Sequence, residues 1–232
     1  MIHQLIFARA KPGMSEEEFQ DYWLKVHAIE FASKITQIKK YKIDRRIPLE
    51  LENDEPLWHG VAEIWLNNEE EQLASLQSQE FVQGARIDET KWTAFWQTVV
   101  LDTTTHELLK GPPETRDSSA IKMLILVKRK EGMPLTEFQQ YSLENHALKV
   151  LKIPGLLRYS QCHVRDSFYI VGEAILDSVF MLWFDNVDTL QKASESSEYS
   201  NVKSDLANFV NPKYVHTLIT DENWIIGPEP RA

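Results

Sequence analysis

Residues 11–22 read KPGMSEEEFQDY and residues 130–141 read KEGMPLTEFQQY. The two stretches agree at seven of twelve positions with an offset of 119, and the same offset carries His27-Ala28 onto His146-Ala147. With the offset shortened to 118, Tyr41 falls on Tyr159, Trp65 on Trp183, and Ser78-Gln79-Glu80-Phe81 on Ser196-Ser197-Glu198-Tyr199. Self-similarity at a nearly constant spacing marks repeated structural units, so the chain reads as two homologous modules. Between them Lys110 to Ser119 is rich in turn formers and lacks apolar periodicity, as a linker does. The modules are accordingly placed at 1–113 and 114–232.

Within each module the apolar period changes in the same order. Ile2 to Ala10 and Lys122 to Lys130 are apolar runs of strand length. Ser15 with Glu18 forms a capping box and Pro134 suits a first helical position, which predicts helices running to about Ser33 and Leu151. Alternation at Tyr41, Ile43, Arg45 and Ile47, and at Leu157, Tyr159 and Gln161, predicts strands over 36–47 and 156–165. Third strands follow at 57–66 and 176–184. Second helices begin near Asn67 or Asn68, where Glu69 to Glu71 face the N-terminal dipole, and near Asp185. Last strands are expected near Thr98–Thr103 and Val215–Thr220. The order β-α-β-β-α-β, twice, is the ferredoxin-like unit of an α+β fold. Its sheet carries both helices on one face and must cover the other. The expected architecture is therefore two tandem ferredoxin-like modules forming an intramolecular pseudo-dimeric α/β barrel.

The 232 residues are 43% hydrophobic and 26% charged, a balance that supports a packed core and excludes disordered, collagenous and disulfide-scaffold chains. Lys+Arg 25 against Asp+Glu 35 gives a net charge of −10, which repels phosphate backbones and anionic membranes and removes nucleic acid as an expected partner. The single cysteine, Cys162, allows no internal disulfide. No apolar run of about 18 residues is present to span a bilayer, and MIHQLIFARAKPG lacks the layout of a signal peptide. A cytoplasmic protein is expected. No H-E-x-x-H, C-x-x-C, Walker, G-x-G-x-x-G or G-x-S-x-G spacing occurs, so neither a metal nor a nucleotide cofactor is expected.

The stretch Phe19-Gln20-Asp21-Tyr22-Trp23-Leu24-Lys25-Val26-His27-Ala28, followed by Tyr41 and by Val61 to Leu66, resembles the EthD family of dimeric α/β-barrel proteins. The second module resembles it through Phe138, Tyr141, His146 and Ala147, with Asp177 ahead of Val179 to Phe184. It departs at Ser142, where the motif has Trp, and the first module departs at His59, where the motif has Asp. The two pockets are therefore expected to differ. The resemblance implies a barrel normally built by two chains and here by one, with pairing to a second copy still open. It also implies a small organic substrate and no compulsory cofactor, and nothing singles out one of the seven histidines as a haem ligand.

His27 and His146 lead the candidate catalytic residues, because imidazole exchanges protons near neutral pH. At about 100° per residue His27 lies roughly 80° from Phe19, at the margin of the apolar stripe, and His146 stands likewise to Phe138. A histidine placed there can equally fix its helix through a backbone carbonyl. Period-two alternation puts His59, Val61, Glu63 and Trp65 on one face of the third strand, and Asp177, Val179, Met181 and Trp183 on the matching face. If that face looks toward the helices, His59 and Glu63 join His27, and Asp177 joins His146, as acid/base groups. Tyr22 would assist His27, while Trp23, Tyr41, Trp65, Tyr141, Tyr159 and Trp183 would hold the substrate ring. The competing reading makes Trp65 and Trp183 ordinary core aromatics and has Glu63 either face solvent or pair with an arginine or lysine. His3 and Lys122, at the entries to the first strands, are read either as lining the pocket or, as is commoner for polar residues at a strand edge, as solvated, and Cys162 is expected to be a small buried filler.

These readings point to a cofactor-independent lyase, a dehydratase, decarboxylase or cyclase acting on a hydroxylated or keto cyclic or aromatic metabolite. One alternative is a non-catalytic binding or accessory protein of a degradation or polyketide pathway. A second is a cofactor-free monooxygenase.

Overall fold

The computed structural model describes residues 1–49, 56–170 and 172–232. Eight strands form one closed antiparallel barrel: β1 (Ile2–Ala8), β2 (Lys40–Arg46), β3 (Gly60–Leu66), β4 (Val99–Leu109), β5 (Ile121–Arg129), β6 (Leu156–Val164), β7 (Ser178–Phe184) and β8 (Val210–Ile226). Their order around the barrel is β1-β3-β2-β8-β5-β7-β6-β4, and β4 returns to pair with β1. The halves meet at two seams, β2 with β8 and β4 with β6. Both last strands run well past their expected ends, because the added residues pair across the seams: Thr103 to Leu109 with Val164 to Tyr159, and Thr220 to Ile226 with Arg46 to Tyr41. A strand whose partner lies in the other repeat shows no such end in its own periodicity.

Helices cover the outside of each half. The box expected at Ser15 forms: its hydroxyl accepts from the Glu18 amide at 3.1 Å, and the Glu18 carboxylate accepts from the Ser15 amide at 2.9 Å. This starts α1 (Glu16–Tyr22), which continues as a π-helical stretch over Trp23–Phe31. The first half adds α2 (Glu69–Gln77) and α3 (Arg86–Trp92), joined through a π-helical stretch at Glu80–Ala85. In the second half α4 (Leu135–Tyr141) leads through a π turn at Ser142–His146 to α5 (Ala147–Val150), then α6 (Val187–Ser194) and α7 (Ser197–Phe209). A π bulge holds one extra residue. The one at Glu80–Ala85 has no counterpart in the continuous α7, which moves the repeat offset from 118 at Phe81 and Tyr199 to 117 at Asp88 and Asp205.

Three apolar layers result. Phe19, Trp23, Tyr41, Ala62 and Trp92 belong to the layer between sheet and helices in the first half. Phe138, Tyr159, Phe180, Leu182 and Phe209 belong to its counterpart in the second. Leu5, Phe7, Val61, Leu124, Met181 and Trp183 fill the barrel interior. Alternate residues of a strand face opposite sides, so β3 sends Ala62 and Ile64 to the helices and Val61, Glu63 and Trp65 inward. The face carrying Glu63, Trp65 and Trp183 thus looks into the barrel, the reverse of the arrangement that would join it to the helix histidines.

One end of the interior is charged. The Lys122 ammonium meets Asp44 Oδ2 at 2.5 Å, Glu222 Oε1 at 2.6 Å, and Glu63. Lys42 Nζ meets Glu222 Oε1 at 2.5 Å and Glu63 Oε1 at 3.1 Å, and His3 Nε2 lies 2.8 Å from Glu63 Oε2. His3 and Lys122 are not solvated strand edges: they are buried at 4% and 0% exposure because barrel closure puts these ends inside. Burial opposes ionisation of Glu222, but Lys122 and Lys42 hold its carboxyl down at about 2. Burial, reinforced by Glu63 and Glu222, pushes Asp44 well above the carboxylate range. Asp44, Glu63 and Glu222 each bring one oxygen within 4.8 Å of the others, a space in which two ammonium groups already stand.

Because the Glu222 carboxyl is depressed on folding, its share of stability is present above the ordinary glutamate pKa and lost as pH falls toward about 2. Urea unfolding at pH 7 and pH 3 is expected to show that loss. Glu222→Gln should cost about 3–5 kcal/mol at pH 7 by leaving buried cations short of a partner, and should narrow the difference between the two pH values.

Candidate active site

A cavity of about 400 Å³ lies between the sheet and the helices of the first half. Small side chains make room for it: Ala62 on β3, Ala32 after α1 and Ala85 before α3 line it, together with Trp23, Tyr41 and Trp92. Its polar flank holds Asp102, whose two oxygens accept from Gln4 Nε2 at 2.8 Å and Gln72 Nε2 at 2.7 Å.

His27 stands in the wall of this cavity, 5% exposed, with its ring against Trp92 at a centroid distance of 4.8 Å. Its Nδ1 is 2.9 Å from Asp88 Oδ2. The other oxygen of Asp88 accepts from the Tyr22 hydroxyl at 2.9 Å and from Lys91 Nζ at 3.0 Å. Burial of Asp88 favours its neutral form, yet bonds from His27, Lys91 and Tyr22 keep its carboxyl below the usual range. Burial lowers the His27 pKa and outweighs the opposite pull of Asp88. At neutral pH the site is therefore a neutral imidazole donating Nδ1–H to a carboxylate, which leaves a lone pair on Nε2. Among the described residues Nε2 has no hydrogen-bond partner. The indole Nε1 of Trp92 is likewise buried without a partner.

The second half repeats the polar group and fills the space. His146 Nδ1 meets Asp205 Oδ2 at 2.8 Å, and Asp205 Oδ1 accepts from Tyr141 at 2.9 Å and from Lys149. Burial works against ionisation of Asp205, but Lys149, His146, Tyr141 and Asn208 bring it to about 2. Phe180 and Phe209 close on the His146 ring at 5.4 and 4.9 Å. Phe180 is the counterpart of Ala62, and Phe209 that of Trp92. Ser142, which replaces the motif tryptophan, bonds His163 Nε2 at 3.1 Å, and Gln161 Nε2 reaches the Tyr159 hydroxyl at 2.6 Å. The two pockets do differ, and the substitution that closes the second is Phe180 in place of alanine, since Ser142 is smaller than the tryptophan it replaces.

The structure thus brings His27, Trp23 and Tyr41 to the wall of one cavity, with Tyr22 joined to His27 through Asp88, and His146 with Tyr141 in the filled counterpart. Glu63, Trp65 and Trp183 lie inside the barrel, on the far side of the sheet from His27. His59 accepts the Ala10 amide at Nδ1, 3.0 Å, and packs edge-on against Phe19, so it ties α1 to the sheet. Asp177 is fully buried and engaged by Arg129, Lys128 and Tyr169 at 2.6–3.2 Å; it does not meet His146. The carboxylates that do hold the histidines, Asp88 and Asp205, escaped the sequence reading. Their repeat is visible only once the one-residue π bulge is allowed for.

Ala62→Phe is expected to fill the first cavity with the fold intact, since the second half already accommodates that ring; near-native melting with loss of ligand uptake would show it. The converse Phe180→Ala should cost about 3–5 kcal/mol by urea unfolding and open space beside His146.

Chains of the same fold are known. An anthrone oxidase-like protein superposes with a TM-score of 0.65 at 10% identity, over 100% of this chain and 95% of its own. A proposed monooxygenase from Fusobacterium nucleatum gives 0.61 at 7% identity over 100% and 97%. Another from Lactobacillus acidophilus gives 0.53 at 11% identity over 97% and 98%. At such identities the likeness is one of fold, which does not carry an activity with it. No curated protein matches the sequence significantly. The EthD domain is recognised twice, at residues 11–95 and 130–213, each match spanning a helix histidine and its carboxylate; the chain belongs to the EthD family, as a tandem pair of its domains in one barrel.

Proposed function

We propose that the first-half cavity is the active site of a small-molecule enzyme in which His27, oriented by Asp88, acts as general base and then general acid. The observation that carries this reading is the neutral imidazole at the wall of an apolar cavity of about 400 Å³, its Nδ1 bonded to a buried carboxylate. A cavity of that size with few polar groups suits a ring-bearing metabolite. The Nε2 lone pair takes a proton from an acidic C–H beside a carbonyl, or from a ring hydroxyl. Asp88 stabilises the imidazolium that forms. If a hydroxyl stands β to the carbanion, the imidazolium returns its proton to that oxygen as the C–O bond breaks, and water leaves. This is the dehydratase form of the lyase reading, and the second half keeps the polar group without the space.

Cofactor-free oxygenation is the second reading, favoured by the words monooxygenase and anthrone oxidase-like attached to chains of this fold. It shares the first step, since a deprotonated phenol is the species that reacts with oxygen.

Exchange of the acidic proton into D₂O, followed by NMR over a panel of hydroxylated cyclic ketones and phenols, tests the base directly. Positioned proton transfer typically contributes roughly 10²–10⁴-fold, and His27→Gln is expected to lose that much. Exchange that survives His27→Gln would overturn the assignment. Because burial holds the His27 pKa below its ordinary value, kcat/KM should be flat at neutral pH and fall only on the acid side, as the base becomes protonated. Oxygen uptake with an active phenol separates oxygenase from lyase.

A further inference from the structure

The seam between β4 and β6 opens on its helix side into a cleft of about 410 Å³, lined by His106 and His163 and sharing no lining residue with the cavity at His27. The two seams are equivalent in the repeat and differ here. At the β2–β8 seam the register pair Arg45 and Asp221 forms an ion pair at 2.6 Å. At the β4–β6 seam the equivalent pair is His163 and Thr104, and His106 stands two residues farther along β4 on the same face, a diagonal neighbour of His163.

The His163 ring is 3% exposed, and its tautomer is fixed. Gln161 Nε2 donates to the Ser142 carbonyl at 2.9 Å and to the Tyr159 hydroxyl at 2.6 Å, which leaves Gln161 Oε1 facing His163 Nε2 at 3.0 Å. Ser142 Oγ lies 3.1 Å from the same nitrogen and gives its own proton to the Gln139 carbonyl. Both neighbours of Nε2 are therefore acceptors, so Nε2 carries the hydrogen and Nδ1 the lone pair. Nδ1 has no partner among the described residues and is not sealed from solvent. The ring nitrogens of His106 are in the same condition. Burial lowers the pKa of His106, and burial with His106 beside it brings His163 down to about 3, so protons do not compete for either lone pair at neutral pH.

The two ring centroids are 4.8 Å apart. Two imidazoles bound to one ion at about 2.0–2.1 Å hold their centroids roughly 5 Å apart. A metal-bound histidine ordinarily donates its other N–H to a fixed acceptor, which is the state His163 already holds. We propose that the β4–β6 cleft binds one divalent transition-metal ion of the Zn²⁺ or Cu²⁺ class, through His163 Nδ1 and a ring nitrogen of His106. Imidazole nitrogen suits these ions, and the positions it leaves open are free for water or a donor ligand. At the rim Glu69 is engaged by Arg165 at 2.7 Å and Asp166 is exposed, so the two imidazoles are the protein's ligands. The histidines lie in different repeats and meet only across the seam, so no local spacing marks the site.

The test is a titration of the chain with Zn²⁺ alone, followed through the imidazole ¹⁵N resonances. Saturation at one equivalent is expected, with His163 Nδ1 and one nitrogen of His106 shifting and His163 Nε2 staying protonated. His106→Gln removes a side chain that makes no hydrogen bond, so it should melt like the native chain. Losing a ligand costs at least as much as losing the bond behind one, and Zn²⁺ affinity should fall roughly 10-fold to 100-fold or more. His163→Gln should weaken binding in the same way, and His106→Gln alone decides if that buried replacement does not fold. Ala62→Phe, which blocks the cavity at His27, should leave Zn²⁺ binding unchanged. No saturable binding, affinity retained in His106→Gln, or shifts confined to His27 or to carboxylates would each overturn the proposal.

Discussion

Each half of the chain makes a four-stranded sheet with helices on one face only, and the need to cover the other face governs the rest of the molecule. Closure supplies the cover. The bare faces of the two sheets become the inside of a barrel, and β2–β8 and β4–β6 replace four open edges with two seams. Open edges invite pairing with other chains, and a closed barrel has none. The same closure turns strand-end residues such as His3 and Lys122 into interior groups, so charges that a free sheet would leave wet must be paired with one another.

That pairing is costly in principle. Removing ions from water is repaid only when geometry and hydrogen bonding are good, and apolar side chains of similar volume often serve stability as well. The interior meets the condition by sharing carboxylates: Glu222 and Glu63 each lie against both lysines, and Asp44 is pushed toward its neutral form. Charge at one end and apolar packing at the other give the barrel a polarity, and a cavity of about 620 Å³ lies at the charged end.

On the outer faces the repeat has diverged in volume more than in chemistry. Histidine, tyrosine and aspartate keep the same mutual bonds in both halves, at 2.8–2.9 Å. Alanine against phenylalanine at one strand position decides whether a small molecule has room beside the imidazole. Polar geometry retained around a filled pocket is what a structural role preserves, since the helix is fixed to its neighbour through the same carboxylate. An open pocket in front of that geometry is what chemistry requires.

The doubled KxGM…EFQxY stretch, the capping box at Ser15 and the order of apolar periods determined by themselves that the chain is two ferredoxin-like repeats and that His27 and His146 are equivalent. These are local patterns, written into consecutive residues. Tertiary structure alone decided which face of β3 and β7 meets the helices, because alternation identifies two faces without naming the one that is covered. It therefore decided that Glu63, Trp65 and Trp183 belong to the barrel and Ala62 and Phe180 to the pockets. It also decided the partners of the histidines. Asp88 and Asp205 lie 61 and 59 residues from them, beyond any local spacing, and a single extra residue in a π turn hides their correspondence.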